Sequence, residues 1–258
     1  MIVTTGSKPS AEMIAQAKSL ADELGGRYVH RRAQTLRGIA RGSGDDRLLV
    51  VTPEGLRYYE GEEPPLFFHP SMAFVRVKRL RRGERDPLVD VSGVRPGDAV
   101  LDCTAGLASD AIVFSYAAGA AGSVTAFESE PVLAAVVRDG LRRYATGLPD
   151  VDEALRRIRV ETRRHEQALA ELPDDSYDIV YFDPMFRSAI EESSAIGAFR
   201  GLANPDALTA GSVAHAVRVA RRAVVLKEQW SSGEFDRLGF ERQPSKKTTK
   251  IAYGVIRP

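Results

Sequence analysis

Between residues 99 and 227 short apolar runs alternate with longer stretches whose apolar positions recur every three to four residues. The runs at 99–102, 123–128, 158–161, 177–183 and 223–227 predict strands, because a strand covered on both faces reads as a nearly unbroken apolar segment. The stretches at 108–118, 130–144, 166–172 and 203–221 predict helices, the last broken near Gly211. Strands alternating with helices imply a parallel sheet with helices on both faces. The tail departs from this rhythm. It predicts a short helix at 230–238 and strands at 239–243 and 250–256. The connection Pro244-Ser245-Lys246-Lys247 is too short for a crossover, so the last two strands pair antiparallel.

The first ninety or so residues carry a weaker pattern. Residues 2–4 predict a strand. Ser10 caps a helix running to Leu24, with Ile14, Ala17, Leu20, Ala21 and Leu24 on one stripe and Gly25-Gly26 at its end. Residues 27–39 are mixed, and 42–46 form a turn. Strands at 48–51 and 56–59 flank Pro53-Glu54-Gly55 as a hairpin. Ser71 is placed to cap a helix over 71–82. The expected organisation is a small α/β region over 1–90 and a larger domain over 91–258. The fold class is α/β, with a mostly parallel Rossmann-like sheet ending in an antiparallel hairpin.

Composition narrows the chemistry. A 43% hydrophobic content supports a substantial core, and a net charge of +1 means that any nucleic-acid surface must arise by local clustering. The strongest cluster is Arg76, Lys78, Arg79, Arg81, Arg82 and Arg85, opposed only by Glu84. It reads equally as a solvated helix face or as a set of backbone-phosphate contacts. Cys103 is the single cysteine, which excludes an intramolecular disulfide and a cysteine-based zinc site. The four histidines are scattered without metal-ligand spacing, so no metal is expected. The longest uncharged run, 111–127, is too short for a bilayer span and contains Gly119 and Gly122. With no basic-then-apolar leader at Met1-Ile2-Val3, a cytoplasmic, membrane-free protein is expected.

Three strand ends carry the candidate chemistry. Asp102 to Asp110 spans strand end, loop and helix start, the place where parallel sheets bind nucleotides. The dinucleotide fingerprint needs three glycines, but this loop has only Gly106, and no Walker lysine is present. An acidic strand end repels phosphate but suits a cationic sulfonium bearing an ammonium group. The loop, with Asp102, Thr104 and Gly106, is therefore read as holding the methionine end of S-adenosylmethionine. Asp102 capping its own loop amides is the alternative. Glu128 ends the next strand, where a carboxylate accepts two ribose hydroxyls, and Ser129 and Pro131 mark the following helix start.

The third strand end is Asp183-Pro184-Met185-Phe186. Amino-methyltransferases carry Asn or Asp, then Pro, then an aromatic two positions on at this place. The carboxylate and the proline carbonyl accept from an exocyclic NH₂, turning its lone pair toward the methyl group, while the aromatic stacks on the base. Lys227, ending the last parallel strand, either meets RNA phosphate or pairs locally. His165 or Glu166 would serve an adenine amino group, or else mark a surface helix start.

At these residues the chain resembles the bacterial small-subunit rRNA guanine-N2 methyltransferase J family. The likeness runs through Leu101 to Ala111, Glu128 to Ala135 with Asp139-Gly140-Leu141, and Tyr181 to Phe186. It is good over about 99–227 and thin before residue 66. The Thr5-x-x-Lys8-Pro9-Ser10 pattern looks more like a Gram-positive branch of the same superfamily. The resemblance implies a class I methyltransferase sheet and a methyl-donor site at Ser109, Asp110, Glu128, Ser129, Arg164, His165 and Asp183. It also implies catalysis at Asp183, Pro184 and Phe186, and an rRNA or small-subunit partner met by Arg76, Lys78, Arg79, Arg81, Arg82 and Lys227. The family's proline and lysine-rich segment after the motif becomes Arg187-Ser188-Ala189-Ile190-Glu191-Glu192 here. Other readings on the same fold are a small-molecule or protein methyltransferase and a non-catalytic RNA-binding or assembly factor. A nicotinamide enzyme is disfavoured by the missing glycines.

Overall fold

The alternation expected of a small leading α/β region begins at residue 2 of the computed structural model, which describes residues 1–184, 206–244 and 250–258. Strand β1 (Ile2–Thr5) lies between β2 (Arg27–Tyr28) and β3 (Arg47–Thr52), parallel to both. Strands β4 (Gly55–Glu60) and β5 (Leu66–Phe67) extend the sheet antiparallel, giving the order β2-β1-β3-β4-β5. Gly55 closes the expected β3–β4 hairpin at φ +128°, which explains a glycine there. Helix α1 (Ala11–Glu23) starts where Ser10 Oγ accepts from the Met13 amide and buries Ala17, Leu20 and Ala21. Helix α2 (Leu36–Ser43) has only Ile39 buried, too little apolar repeat to announce a helix in sequence.

The two compact units do not divide at residue 90. The first is Met1–His69 with Glu130–Tyr144, and the second covers the described residues of 70–129, 145–184 and 206–258. The reason is packing that local pattern does not reveal. Helix α6 (Pro131–Arg143) packs on β4 of the first unit, and its Asp139 accepts from Gln16 Nε2 at 2.8 Å and Arg143 Nε at 2.8 Å. A Cβ on Gly140 would lie 2.1 Å from Phe68 Cγ, so the helix presents a flat spot to that ring. Gly140→Ala gains about 1 kcal/mol of helix propensity but forces the ring to move, a cost of about 1–3 kcal/mol or more. A net loss of stability is expected in urea unfolding; an unchanged or higher midpoint would show that Phe68 yields freely.

In the second unit, β6 (Ala99–Asp102), β7 (Ser123–Glu128), β8 (Ile158–Thr162), β9 (Tyr177–Phe182) and β10 (Ala220–Gln229) are parallel. Strand β12 (Ile251–Ile256) joins β10 antiparallel, and β11 (Glu241–Arg242) joins β12 the same way, as the tail pattern predicts. The order is β11-β12-β10-β9-β6-β7-β8. Leu101, Val180, Phe182, Val224 and Leu226 pack on one face with residues of α8 (His165–Glu171), α9 (Ala210–Val219) and α10 (Glu234–Leu238). On the other face Tyr181 meets Phe114 of α5 (Ser109–Ala118), with ring centroids 5.2 Å apart.

Helices α3 (Ser71–Arg81) and α4 (Pro87–Ser92) pack on α5, burying Ala73, Val77 and Leu88. That is why they belong to this unit. Ser71 is not the cap of α3: it stands inside the helix at φ +36°, and Pro70 holds the cap position. Helix α7 (Pro149–Arg156) is a second short helix without a strong sequence signal. Helix α9 starts at a Thr209 cap; positions 203–205 of the expected start, and 245–247 of the expected β11–β12 connection, lie outside the described residues.

Candidate active site

The strand order reverses between β6 and β9, the crevice where open parallel sheets take their ligands. The loop after β6 is stitched to both neighbours: the Cys103 amide donates to the Tyr181 carbonyl at 2.9 Å, and the Ala105 amide to the Phe127 carbonyl at 2.9 Å. Gly106 and Ala108 take φ +51° and +60°, turning the chain into α5. The Gly106 amide donates to Glu128 Oε2 at 3.0 Å, and Ser129 Oγ to Oε1 at 3.4 Å, so Glu128 is held at the end of β7. Thr104 Oγ1 accepts from the Asp183 amide at 2.6 Å, tying the loop to the end of β9. Asp102 Oδ1 accepts from its own loop, the Thr104 amide at 3.0 Å, and burial pushes its carboxyl up to about 8. The expected sites on β6, β7 and β9 are therefore joined by direct hydrogen bonds.

Beneath this loop lies a buried ion network. Asp110, the second residue of α5, accepts from Arg76 Nη1, from Lys227 Nζ at 2.9 Å and from Tyr181 Oη at 2.8 Å. Lys227 Nζ also donates to Asp183 Oδ2 at 2.7 Å, and Arg76 grips Asp86 through Nε and Nη2, each at 2.8 Å. Burial opposes ionisation of Asp110, but Lys227 and Arg76 outweigh it and hold the carboxyl well below the usual range. Asp183 moves the other way, to about 6: burial and the Asp110 charge raise it, while Lys227 restrains the rise. Among the described residues of this network two cations thus face three carboxylates, leaving one excess negative charge when all are ionised. Such a site favours a cationic ligand.

Two residues expected at RNA belong to this network, and for Lys227 the local pairing is the alternative the sequence offered. Arg76 and Lys227 are turned inward, with side chains 19% and 17% exposed, because Asp86, Asp110 and Asp183 need counter-charges in a place water barely reaches. The rest of the basic run stays outside. The Lys78 ammonium lies over the Phe74 ring, Arg79 faces Glu84 at 3.9 Å, Arg81 binds Asp150 at 2.8 Å, and Arg82 is exposed. Asp86 and Tyr181 join the network and Tyr253 borders it, three residues without a site role in the sequence reading. Asp86 carried a usable signal, an aspartate directly before Pro87 at a helix start.

Toward β8, Arg164 pairs with Asp206 at 2.7 Å, and the His165 ring stacks edge-on to Phe182, with burial lowering its pKa. His165 Nε2 and Glu166 Oε2 are buried without a hydrogen-bond partner. They have only ion-pair neighbours, Glu166 Oε1 at 3.7 Å from His165 Nε2 and Arg164 Nε at 3.6 Å from Glu166 Oε2, and their open hydrogen-bonding capacity fits the polar edge of an adenine. Beside them opens a cleft of about 410 Å³ lined by Ser129, Thr162, Arg163, Arg164, Gln167 and Glu171. Ser129 is not the cap of α6; Glu130 holds that position. Pro184 follows Asp183 directly, whereas Phe186 lies outside the described residues. Among the described residues no cluster of His, Cys, Asp and Glu is placed to hold a metal, and no helix is long and apolar enough to cross a membrane.

A family model described as SAM-dependent methyltransferase matches residues 36–247. The uncharacterized protein YpiP of Bacillus subtilis (strain 168) is 41% identical over 255 residues, 99% of this chain and 98% of that protein. The ribosomal RNA small subunit methyltransferase J of Aeromonas salmonicida (strain A449) is 32% identical over 194 residues, 69% of this chain and 74% of the relative. That of Dechloromonas aromatica (strain RCB) is 34% identical over 194 residues, 70% and 76%. The crystal structure of the SAM-dependent methyltransferase NGO1261 from Neisseria gonorrhoeae aligns at a TM-score of 0.63 and 19% identity, over 100% of this chain and 96% of that one, a likeness of fold.

Proposed function

The chain belongs to the SAM-dependent methyltransferase family, and from that premise we propose that it methylates an exocyclic amino group of a nucleic-acid base, with guanine N2 of small-subunit rRNA as the acceptor. One observation carries this reading. Asp183-Pro184 ends β9 beside the β6 loop, with the Asp183 amide fixed by Thr104 and one carboxylate oxygen fixed by Lys227. Its other oxygen and the Pro184 carbonyl are the acceptors an amino group requires.

When bound, the cofactor supplies a methyl group on a positively charged sulfur. The residues of the chain do the rest by position. Glu128 takes the ribose hydroxyls, the Asp102–Asp110 loop takes the amino-acid end, and His165 Nε2 and Glu166 Oε2, which have no hydrogen-bond partner among the described residues, meet the adenine edge. Asp183 and Pro184 accept from the base NH₂ and turn its lone pair toward the methyl carbon, so that most of the rate comes from alignment. Phe186 is assigned to stack on the base. The nitrogen becomes acidic once methylated and gives its proton to water, so the step needs no strong base. Acting on the small ribosomal subunit, the protein would work in the cytoplasm.

Mass-spectrometric comparison of small-subunit rRNA from wild-type and deletion strains tests the reading. A single guanine is expected to lose its N2-methyl mark, and purified protein should restore it. Identical modification maps would overturn the acceptor assignment while leaving the cofactor site intact.

A further inference from the structure

The ion pairs redistribute positive charge across the molecule. On and after α3, Arg76, Arg79, Arg81 and Arg85 each have a carboxylate partner. The basic run prominent in sequence is therefore largely compensated. A second run behaves differently. Residues 24–44 contain Arg27, Arg31, Arg32, Arg37 and Arg41 and no acidic residue. Arg27, Arg32, Arg37 and Arg41 are all exposed, as is Lys8 in the loop after β1. Among the described residues none of these five cations has an ion-pair partner, in a chain whose net charge is only +1.

The fold of the leading unit gathers these groups around α2. Arg31 donates from Nη1 to the Thr5 carbonyl and from Nε to the Gln34 carbonyl, so the turn between β2 and α2 is fastened to the end of β1 that carries Lys8. The Arg32 amide donates to His30 Nδ1 within the same turn. The Thr35 hydroxyl caps α2 through the Gly38 amide, so the helix has a defined start. Arg37 and Arg41 stand four residues apart on it, hence on one side, while Ile39 points into the unit with Ile2, Leu48 and Val50. A solvated face normally mixes signs; an ordered, one-signed and unpaired face is the footprint of a phosphate backbone.

We propose that Arg32, Arg37 and Arg41, flanked by Lys8 and Arg27, form the surface on which the leading unit docks RNA backbone. The inference rests on the nucleic-acid reading of the active site and moves the main electrostatic contact from α3 to α2. Contacts of this type carry affinity rather than sequence choice. Each phosphate neutralised adds about 0.7–0.9 to the slope of log affinity against log salt.

The test titrates purified small-subunit rRNA over a range of salt against wild type, the triple variant Arg32→Glu, Arg37→Glu, Arg41→Glu, and the α3 variant Lys78→Glu, Arg82→Glu. The triple variant is expected to bind at least about tenfold more weakly, with a slope reduced by about 2–3, while its affinity for S-adenosylmethionine and its thermal midpoint stay at wild-type values. The α3 variant should lose little. Unchanged RNA affinity and slope in the triple variant overturn the proposal, as does an equal or larger loss in the α3 variant. Should the charge reversals lower the thermal midpoint, the Arg→Gln triple must show the same loss of slope, and failure to do so also overturns it. A wild type that binds S-adenosylmethionine but no RNA refutes the nucleic-acid reading and with it this surface. Wild-type binding to phosphatidylserine vesicles in place of RNA overturns the choice of partner.

Discussion

Asp183→Ala is expected to lower methyl transfer by about 10²–10⁴-fold while S-adenosylmethionine still binds, because misdirecting the amine by about an ångström already costs about 10²-fold. The expectation follows from how the carboxylate is held. Its backbone amide donates to Thr104 and its Oδ2 accepts from Lys227, and its Oδ1, without a hydrogen-bond partner among the described residues, is left to accept from the amino group. The role requires the ionised form. Burial and the Asp110 charge place the Asp183 carboxyl at about 6, so kcat/KM should decline as the pH falls through that value and level off above it. Asp183→Asn separates charge from geometry. An amide has one acceptor oxygen, and Lys227 would claim it, leaving NH₂ facing NH₂. The Asn variant should therefore lose nearly as much activity as the Ala variant and lose the acid limb as well. Near-normal transfer in the Ala variant, measured by tritium incorporation under saturating cofactor, would remove Asp183 from the mechanism.

The candidate site was legible in sequence wherever a functional group ends a strand. Asp102, Glu128 and Asp183 each close an apolar run, and parallel pairing then sets the three ends side by side with no further information. The five parallel strands and the terminal antiparallel pair were readable for the same reason, since each is an apolar run bounded by a turn. Short helices with few apolar anchors were not: α2, α4 and α7 span 8, 6 and 8 residues. Nor was the partition of the chain. Helix α6 reads as an ordinary crossover, and its packing on β4, the Gly140–Phe68 contact and the Asp139–Gln16 hydrogen bond assign it to the leading unit. Charge was the least legible property. Arg76 meets Asp86 and Asp110, 10 and 34 positions away, and Lys227 meets Asp110, 117 positions away. A basic residue in sequence carries no mark of whether a carboxylate waits for it in the fold.

Lys227→Met is expected to cost stability and to move the acid limb of activity together, and the pairing of these effects is what identifies its role. Removing one partner of a buried ion pair costs about 3–5 kcal/mol, because the remaining charge is left unpaired in a dry place. Asp110 keeps Arg76 and Tyr181, but among the described residues Asp183 has no second cation to turn to. Lys227 acts to lower the Asp183 carboxyl, so its loss raises that pKa further above its present value of about 6. The acid limb of kcat/KM should then move to higher pH, and raising the pH should recover part of the activity lost at neutrality. A residue with only a structural role would lower the unfolding midpoint and the amount of active enzyme without shifting the pH profile. Lys227→Arg keeps the charge and should keep the profile. The double variant Asp183→Asn, Lys227→Met adds a sharper condition: with no ammonium to claim it, the Asn oxygen is released to the amine. Its kcat/KM should exceed that of Asp183→Asn alone, a negative cost for the second substitution that only direct coupling between the two side chains produces. A profile that stays in place in Lys227→Met, or a double variant worse than both single ones, would show that Lys227 supports the fold and leaves Asp183 to act alone.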